Sequence, residues 1–402
     1  MPSSTSSSSA ANISADTSEV TVAMAGYDGG VEEVSIRATA SDRPGVAQPV
    51  PVRDIPPQPW GRILLVALVV ATMLIAAWEL HWRAFGAEPG LRNSDGHWAE
   101  QRRRIDSGEG DKTVLIGASR VLFDVQLPVW EHATGERPIQ LALEGTSPVP
   151  VLEDLAADAA FTGRLLVGVA PELFFSGFAY RGEVVSHYHQ QGPSQRSGHW
   201  LSQRLLEPYF AFYEPDFALA TVIKRQAWPA REGVRSRIAV RKLMVQEAGR
   251  NAYMWSKVEN DPEYRELARS IWAQDFGGPL RGMDTPEKSR KVIDTQIARA
   301  AAAIATLRAR GVQILFLRPP SDGEYYAYEN KYLPRAETWD LLLQRTATPG
   351  IHFEDYPELQ GYVLPEWSHL SASEADRFTA ALVPIVEREF AKLEAESATG
   401  VH

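Results

Sequence analysis

Val114-Leu115-Ile116-Gly117-Ala118-Ser119-Arg120 reads as a buried apolar strand that runs into a tight turn of small residues carrying a serine. Three more runs share its character: 139–143, 165–169 and 312–317. Each is short, apolar and bounded by Gly, Pro or charge, the pattern of a strand. Near-continuous apolarity points to strands covered on both faces, as in a parallel sheet. Helical stretches lie between them, at 128–134 and 148–160. Thr285-Pro286-Glu287 is a helix start, with a capping threonine and proline in the first turn. That helix runs to Arg310 and stops at Gly311, ahead of the 312–317 strand. Ser371 and Glu374 form a capping-box pattern for a last helix reaching about residue 395. Strand and helix alternation makes the fold class α/β.

The regions outside this core differ in composition. Residues 1–59 begin with a serine- and threonine-rich run, 3–9, and end with six prolines between 44 and 59. They read as a disordered tail, because they lack the apolar surface to offset chain entropy. Residues 63–78 are an uncharged apolar run, flanked by Trp60 and Trp82. Counted between those tryptophans, 60–82 is long enough for a transmembrane anchor. Arg53 and Arg62 precede the span, and Arg83 and Arg92 follow it, so charge does not set its orientation. Residues 83–110 read as a juxtamembrane linker with a helix near 98–104. Residues 176–283 interrupt the alternation and read as a helical or irregular insertion over one end of the sheet. The α/β domain therefore comprises 111–175 and 284–395.

Composition narrows the function. The chain has 402 residues, 44% hydrophobic and 23% charged, with a formal net charge of -10. A net acidic chain argues against nucleic acid as the main partner. There is no cysteine, which excludes disulfides and thiolate chemistry. His187, His189 and His199 cluster in the insertion without ligand spacing and read as loop residues, not a metal site. No cofactor is expected.

The candidate chemistry lies at strand ends, where sites form in open parallel sheets. Ser119 is a candidate nucleophile, but a hydroxyl needs a base. In Glu366-Trp367-Ser368-His369-Leu370, His369 is the candidate base and Glu366 could orient it. Gly145 ends the second strand, and its amide could join that of Ser119 in holding an oxyanion. Arg120 and Arg318, also at strand ends, could hold a substrate or form salt bridges.

Together these segments resemble the SGNH (GDSL-like) hydrolase superfamily. They look most like its membrane-anchored branch, related to alginate and cell-envelope O-acetyltransferase and D-alanyl-transfer proteins. The resemblance covers roughly 111–175 and 311–390. Gly117-Ala118-Ser119 matches the nucleophile block, Gly145 the glycine block, and Glu366 to His369 the D-x-x-H block. Ala118 and Glu366 each stand where aspartate is usual. Val169-Ala170-Pro171-Glu172 stands where the asparagine block would be. The resemblance implies a flavodoxin-like three-layer sheet with Ser119, His369 and Glu366 as the triad. It also implies a single-pass protein of a bacterial inner membrane with the large domain extracytoplasmic. The expected substrate is an acyl ester on cell-envelope polysaccharide, with a multi-span membrane acyltransferase as a partner. A catalytically inactive carbohydrate-binding or assembly protein is the alternative.

Overall fold

The computed structural model describes residues 57–225 and 241–399, together with the backbone of 19–25 and 31–37. The chain divides into two compact units, Met1–Ala71 and Thr72–His402. In the first, Glu19–Ala25 pairs antiparallel with Val31–Arg37, Val22 lying opposite Val34. This hairpin falls inside the stretch read from sequence as an unfolded tail. The signal for it is Asp28-Gly29-Gly30 between two runs rich in valine and isoleucine. The remainder of the tail lies outside the described residues.

Helix α1, Trp60–Phe85, crosses the boundary between the units. It is long and apolar enough to cross a membrane, with a mean hydropathy of 2.5 over 18 residues. Helix α2, Asp95–Arg104, follows, with Ser94 accepting from the His97 amide at its start.

The second unit is built on one parallel sheet. Its strands are β1 Val114–Ile116, β2 Ile139–Gln140, β3 Arg164–Gly168, β4 Gln313–Arg318 and β5 Gly350–His352. The spatial order is β2-β1-β3-β4-β5, with every pair parallel. That is the doubly wound order of flavodoxin-like sheets. Four strands fall in the runs read from sequence. The fifth gives no such signal: it has three residues, one of them glycine, and no apolar run.

Alternation along the strands makes two cores. Leu115, Leu166, Leu315 and Leu317 face one side and pack with Leu382, Val386 and Phe390 of the last helix. Val114, Ile116, Leu165, Val167, Ile314 and Phe316 face the other side, with Leu152, Ile297 and Ile304. The layers are therefore helix, sheet, helix.

The second unit also carries the helices α3 Ser119–Asp124, α4 Val149–Ala157, α5 Pro262–Ala273, α6 Pro286–Arg308, α7 Gly323–Tyr332 and α8 Ala372–Thr399. α6 has the Thr285 cap expected of it, and Gly311 beyond its end is left-handed at φ 84°. The capping box expected for α8 is replaced. Glu374 pairs with Arg377, and the Ala372 amide donates to Glu259 at 2.6 Å. The Ser371 amide, from which Glu374 would accept in a capping box, donates to the Val363 carbonyl at 3.3 Å instead.

The 176–283 insertion is mainly helical where described, with a small hairpin of Met244–Gln246 and Ala252–Met254. The histidines read as loop residues stand on its helices: His187 and His189 on Val184–Gln190, His199 on Pro193–Leu205. Pro193 in the first turn is the start signal for the second of these.

Candidate active site

α3 begins where β1 ends, so Ser119 is the first residue of a helix at the carboxyl edge of the sheet. Two glycines allow this approach. A Cβ on Gly117 would lie 2.6 Å from Val121 Cγ2, and one on Gly168 would lie 2.0 Å from it. Without side chains, β1 and β3 admit α3 directly onto their ends. Ser119 is half-buried, whereas Arg120 through Asp124 are buried.

The segment after β2 continues to hydrogen-bond along the segment after β1. The Ile139, Leu141 and Leu143 amides donate to the Thr113, Leu115 and Gly117 carbonyls. The ladder ends there: Ser119 opens α3, and Gly145 lies in the turn two residues after Leu143. Gly145 is left-handed, at φ 57°, and Tyr180 lies over it. The Tyr180 amide donates to the Gly145 carbonyl at 3.0 Å. Among the described residues, neither the Ser119 nor the Gly145 amide donates a backbone hydrogen bond.

His369 and Glu366 form a fixed pair. His369 Nδ1 lies 2.7 Å from Glu366 Oε1, which also accepts from the His369 amide at 2.8 Å. Trp272 Nε1, from α5 of the insertion, donates to Glu366 Oε2. Both side chains are essentially inaccessible, at 1% and 0% exposure. The intervening Trp367 makes the reversal possible by adopting φ 74°, a costly conformation for a bulky residue. Its carbonyl accepts from the Asp322 amide at 2.8 Å, and the Arg269 guanidinium lies 5.1 Å from its ring. Strain of this kind persists where surrounding contacts over-determine it.

The other imidazole nitrogen, Nε2, is buried and has no hydrogen-bond partner. With Glu366 accepting from Nδ1–H, Nε2 is the nitrogen left to act as an acceptor. The ring stacks on Phe123, centroids 4.1 Å apart. Phe123 is four residues after Ser119 on α3, hence on the same helix face. The neighbouring residues also meet, since Arg120 Nε donates to Ser368 Oγ at 3.3 Å. The structure thus sets the histidine segment against the serine helix. No hydrogen bond joins Ser119 to His369 itself.

Arg120 and Arg318 are buried, and Glu329 of α7 links them. Arg120 Nη1 lies 2.8 Å from Glu329 Oε1, and Arg318 Nη2 lies 2.7 Å from Glu329 Oε2. Ser321 Oγ donates to the same oxygen. These guanidiniums are committed to a salt bridge rather than held out toward a substrate. Glu172, just after β3, accepts from Tyr325 Oη at 2.9 Å and lies 3.8 Å from Arg120. Burial pushes Glu172 up to about 7, and the charged Glu329 beside it adds to that. Burial opposes the charge on Glu329, but its two arginines prevail and hold it below the usual carboxylate range. Sequence reading missed this cluster because its partners lie up to 209 residues apart.

Asp124 closes α3 beneath the histidine segment. Its Oδ1 accepts from the Leu370 amide at 3.0 Å, and Oδ2 has no partner. Burial pushes it well above the ordinary aspartate value of 3.8, and Glu366 adds to that. The folded chain therefore keeps this carboxyl protonated to higher pH than the unfolded chain does. Its folded pKa is raised, so stability is greatest below the unfolded value and falls as pH rises above it. Asp124→Asn should keep the Leu370 contact and flatten that decline. Denaturant melts from pH 4 upward check this; an unchanged slope would assign the decline to other groups.

Comparison with known protein families finds no family model that matches the chain. Comparison with curated proteins finds no match either.

Proposed function

We propose that the chain is a membrane-anchored, SGNH-like serine acyl-ester enzyme. The observation that carries this is the buried, unpartnered Nε2 of His369, whose Nδ1 is held by Glu366 against the helix that Ser119 opens. A buried acceptor nitrogen costs free energy unless something completes it, and a substrate-bound serine hydroxyl would. In the first half-reaction, Ser119 Oγ attacks the ester carbonyl and His369 Nε2 takes its proton. The oxyanion sits on the Ser119 and Gly145 amides. Collapse returns that proton to the leaving alcohol and leaves the acyl group on Ser119. A second hydroxyl, from a polysaccharide or water, then attacks with His369 again as base. The products are a transferred or a hydrolysed acyl group.

Glu366 has its own signature in this scheme. Glu366→Gln keeps size but removes the charge that stabilises the imidazolium, so kcat should fall on the order of 10³–10⁴-fold. Glu366→Asp should keep much of the activity, since aspartate is the usual residue in the family that the chain resembles. Ester hydrolysis by full-length chain in detergent reads both. A Gln variant as active as wild type would make Glu366 a bystander.

The same reading places the large domain outside the cytoplasm, on envelope polysaccharide, beside a multi-span acyltransferase that supplies acyl groups. Protease added to spheroplasts should then digest the large domain. Trimming of the N-terminal segment alone would invert the topology.

A second reading has a specific observation behind it. No hydrogen bond joins Ser119 and His369, and the position after β3 carries Glu172, bound to Tyr325, instead of an oxyanion donor. An inactive, carbohydrate-binding or assembly member of the fold would look the same.

A further inference from the structure

The helix Pro193–Leu205 turns its polar side toward the domain. None of its thirteen residues is buried. His199 packs over Gly96 of α2, where a Cβ would meet the imidazole at 2.7 Å, and its Nε2 lies 3.7 Å from Glu100. Ser202 donates to Glu207 at 2.7 Å. Trp200, Leu201 and Leu205 stand outward, 54%, 46% and 59% exposed. A surface helix facing water does the reverse and buries its apolar stripe. The apolar surface continues past the helix end in Leu206, Tyr209 and Phe210, at 38%, 61% and 36% exposure. Residues 193–206 contain no acid, and Arg196 and Arg204 supply positive charge.

The position of this segment is fixed by the last turns of α1. Glu79 accepts from the Ala211 and Phe212 amides at 3.1 and 3.0 Å. Arg83 Nη2 donates to the Tyr209 carbonyl at 3.0 Å. Trp78 Nε1 donates to the Phe217 carbonyl at 3.1 Å, and Trp82 stacks on Phe217 at 4.6 Å. Tryptophans at the end of a span belong at the headgroup level. Tyr209 and its neighbours are tied to that level by hydrogen bonds.

We infer that residues 193–210 form an interfacial membrane element. Their outward apolar side lies in the headgroup–acyl boundary of the leaflet that α1 reaches at Trp78 and Trp82. This rests on reading α1 as a membrane span, but not on any role for Ser119. A basic, acid-free helix with Trp and Leu on one side is the composition such elements have, and Arg196 and Arg204 favour anionic lipid. The large domain is thereby held at the bilayer by a second contact as well as by its tether.

The absence of native cysteine permits a direct test. Leu201→Cys and Leu205→Cys, each in the full chain, would be labelled with an environment-sensitive fluorophore. The labelled chains would be reconstituted into phosphatidylethanolamine–phosphatidylglycerol vesicles. Expected are blue-shifted emission, quenching by shallow doxyl-labelled lipid, and shielding from aqueous iodide. Iodide quenching without lipid quenching, in chains that resist alkaline carbonate extraction, would overturn the inference alone. Release by carbonate would overturn the span and the inference with it. Shielding from both quenchers, with label self-quenching that rises with protein-to-lipid ratio, would assign the patch to a second copy of the chain and also overturn it.

Discussion

His369→Ala should lower ester turnover by about 10⁴-fold, and Ser119→Ala by about as much. Each change removes one half of a unit, so the Ser119→Ala/His369→Ala pair should be barely worse than either alone. Neither should unfold the domain. Ser119 is half-buried at a helix start and loses only a hydroxyl. His369 is fully packed on Phe123, so His369→Gln, which keeps more volume, serves as the control against a folding defect. Turnover with an activated acetyl ester, set beside thermal melts, separates the two causes. Additive losses in the double variant would mean that the residues do not act together.

The largest effect on stability should come from Glu329. It sits between Arg120 and Arg318, and all three side chains are at most 5% exposed. Removing the carboxylate leaves two buried guanidiniums with only Glu172, 3.8 Å from Arg120, as a nearby counter-charge, and Arg120 Nη2 already lacks a hydrogen-bond partner. Breaking a buried pair in this way costs about 3–5 kcal/mol, because the remaining charge is uncompensated. Glu329→Ala should therefore lower the melting temperature by many degrees. Lys288→Ala, which breaks an exposed pair with Asp284, should leave it unchanged. Equal melting of the two variants would show that the Glu329 cluster is solvated in solution. Activity should fall with Glu329→Ala as well, since Arg120 also holds Ser368, next to His369.

What was legible in the sequence is what local physics encodes. β1 through β4 announced themselves as apolar runs, and α6 as a capped start with a glycine stop. The Glu366-x-x-His369 spacing proved a real pair, because a turn at Trp367 lets the carboxylate reach both the amide and the ring three residues on. What escaped depends on distance along the chain or on weak local signal. β5 is too short to show periodicity. α7 is rich in tyrosine and charge, and its Asp322 cap stands two residues after the Pro319-Pro320 pair, so no apolar period marks it. The third contact of Glu366 comes from Trp272, 94 residues earlier, inside a segment with no strand pattern around it. Arg120 and Arg318 could be placed at strand ends by sequence, but only the fold shows that one glutamate from α7 reaches both.

The central claim is that Ser119 is a nucleophile served by His369. Fluorophosphonate labelling of the full-length chain, read by peptide mass, tests it most directly. The account predicts a single adduct on Ser119, formed by the wild-type chain and lost in both Ser119→Ala and His369→Ala. Labelling that persists in Ser119→Ala, or a folded wild-type chain that takes no label, would contradict it.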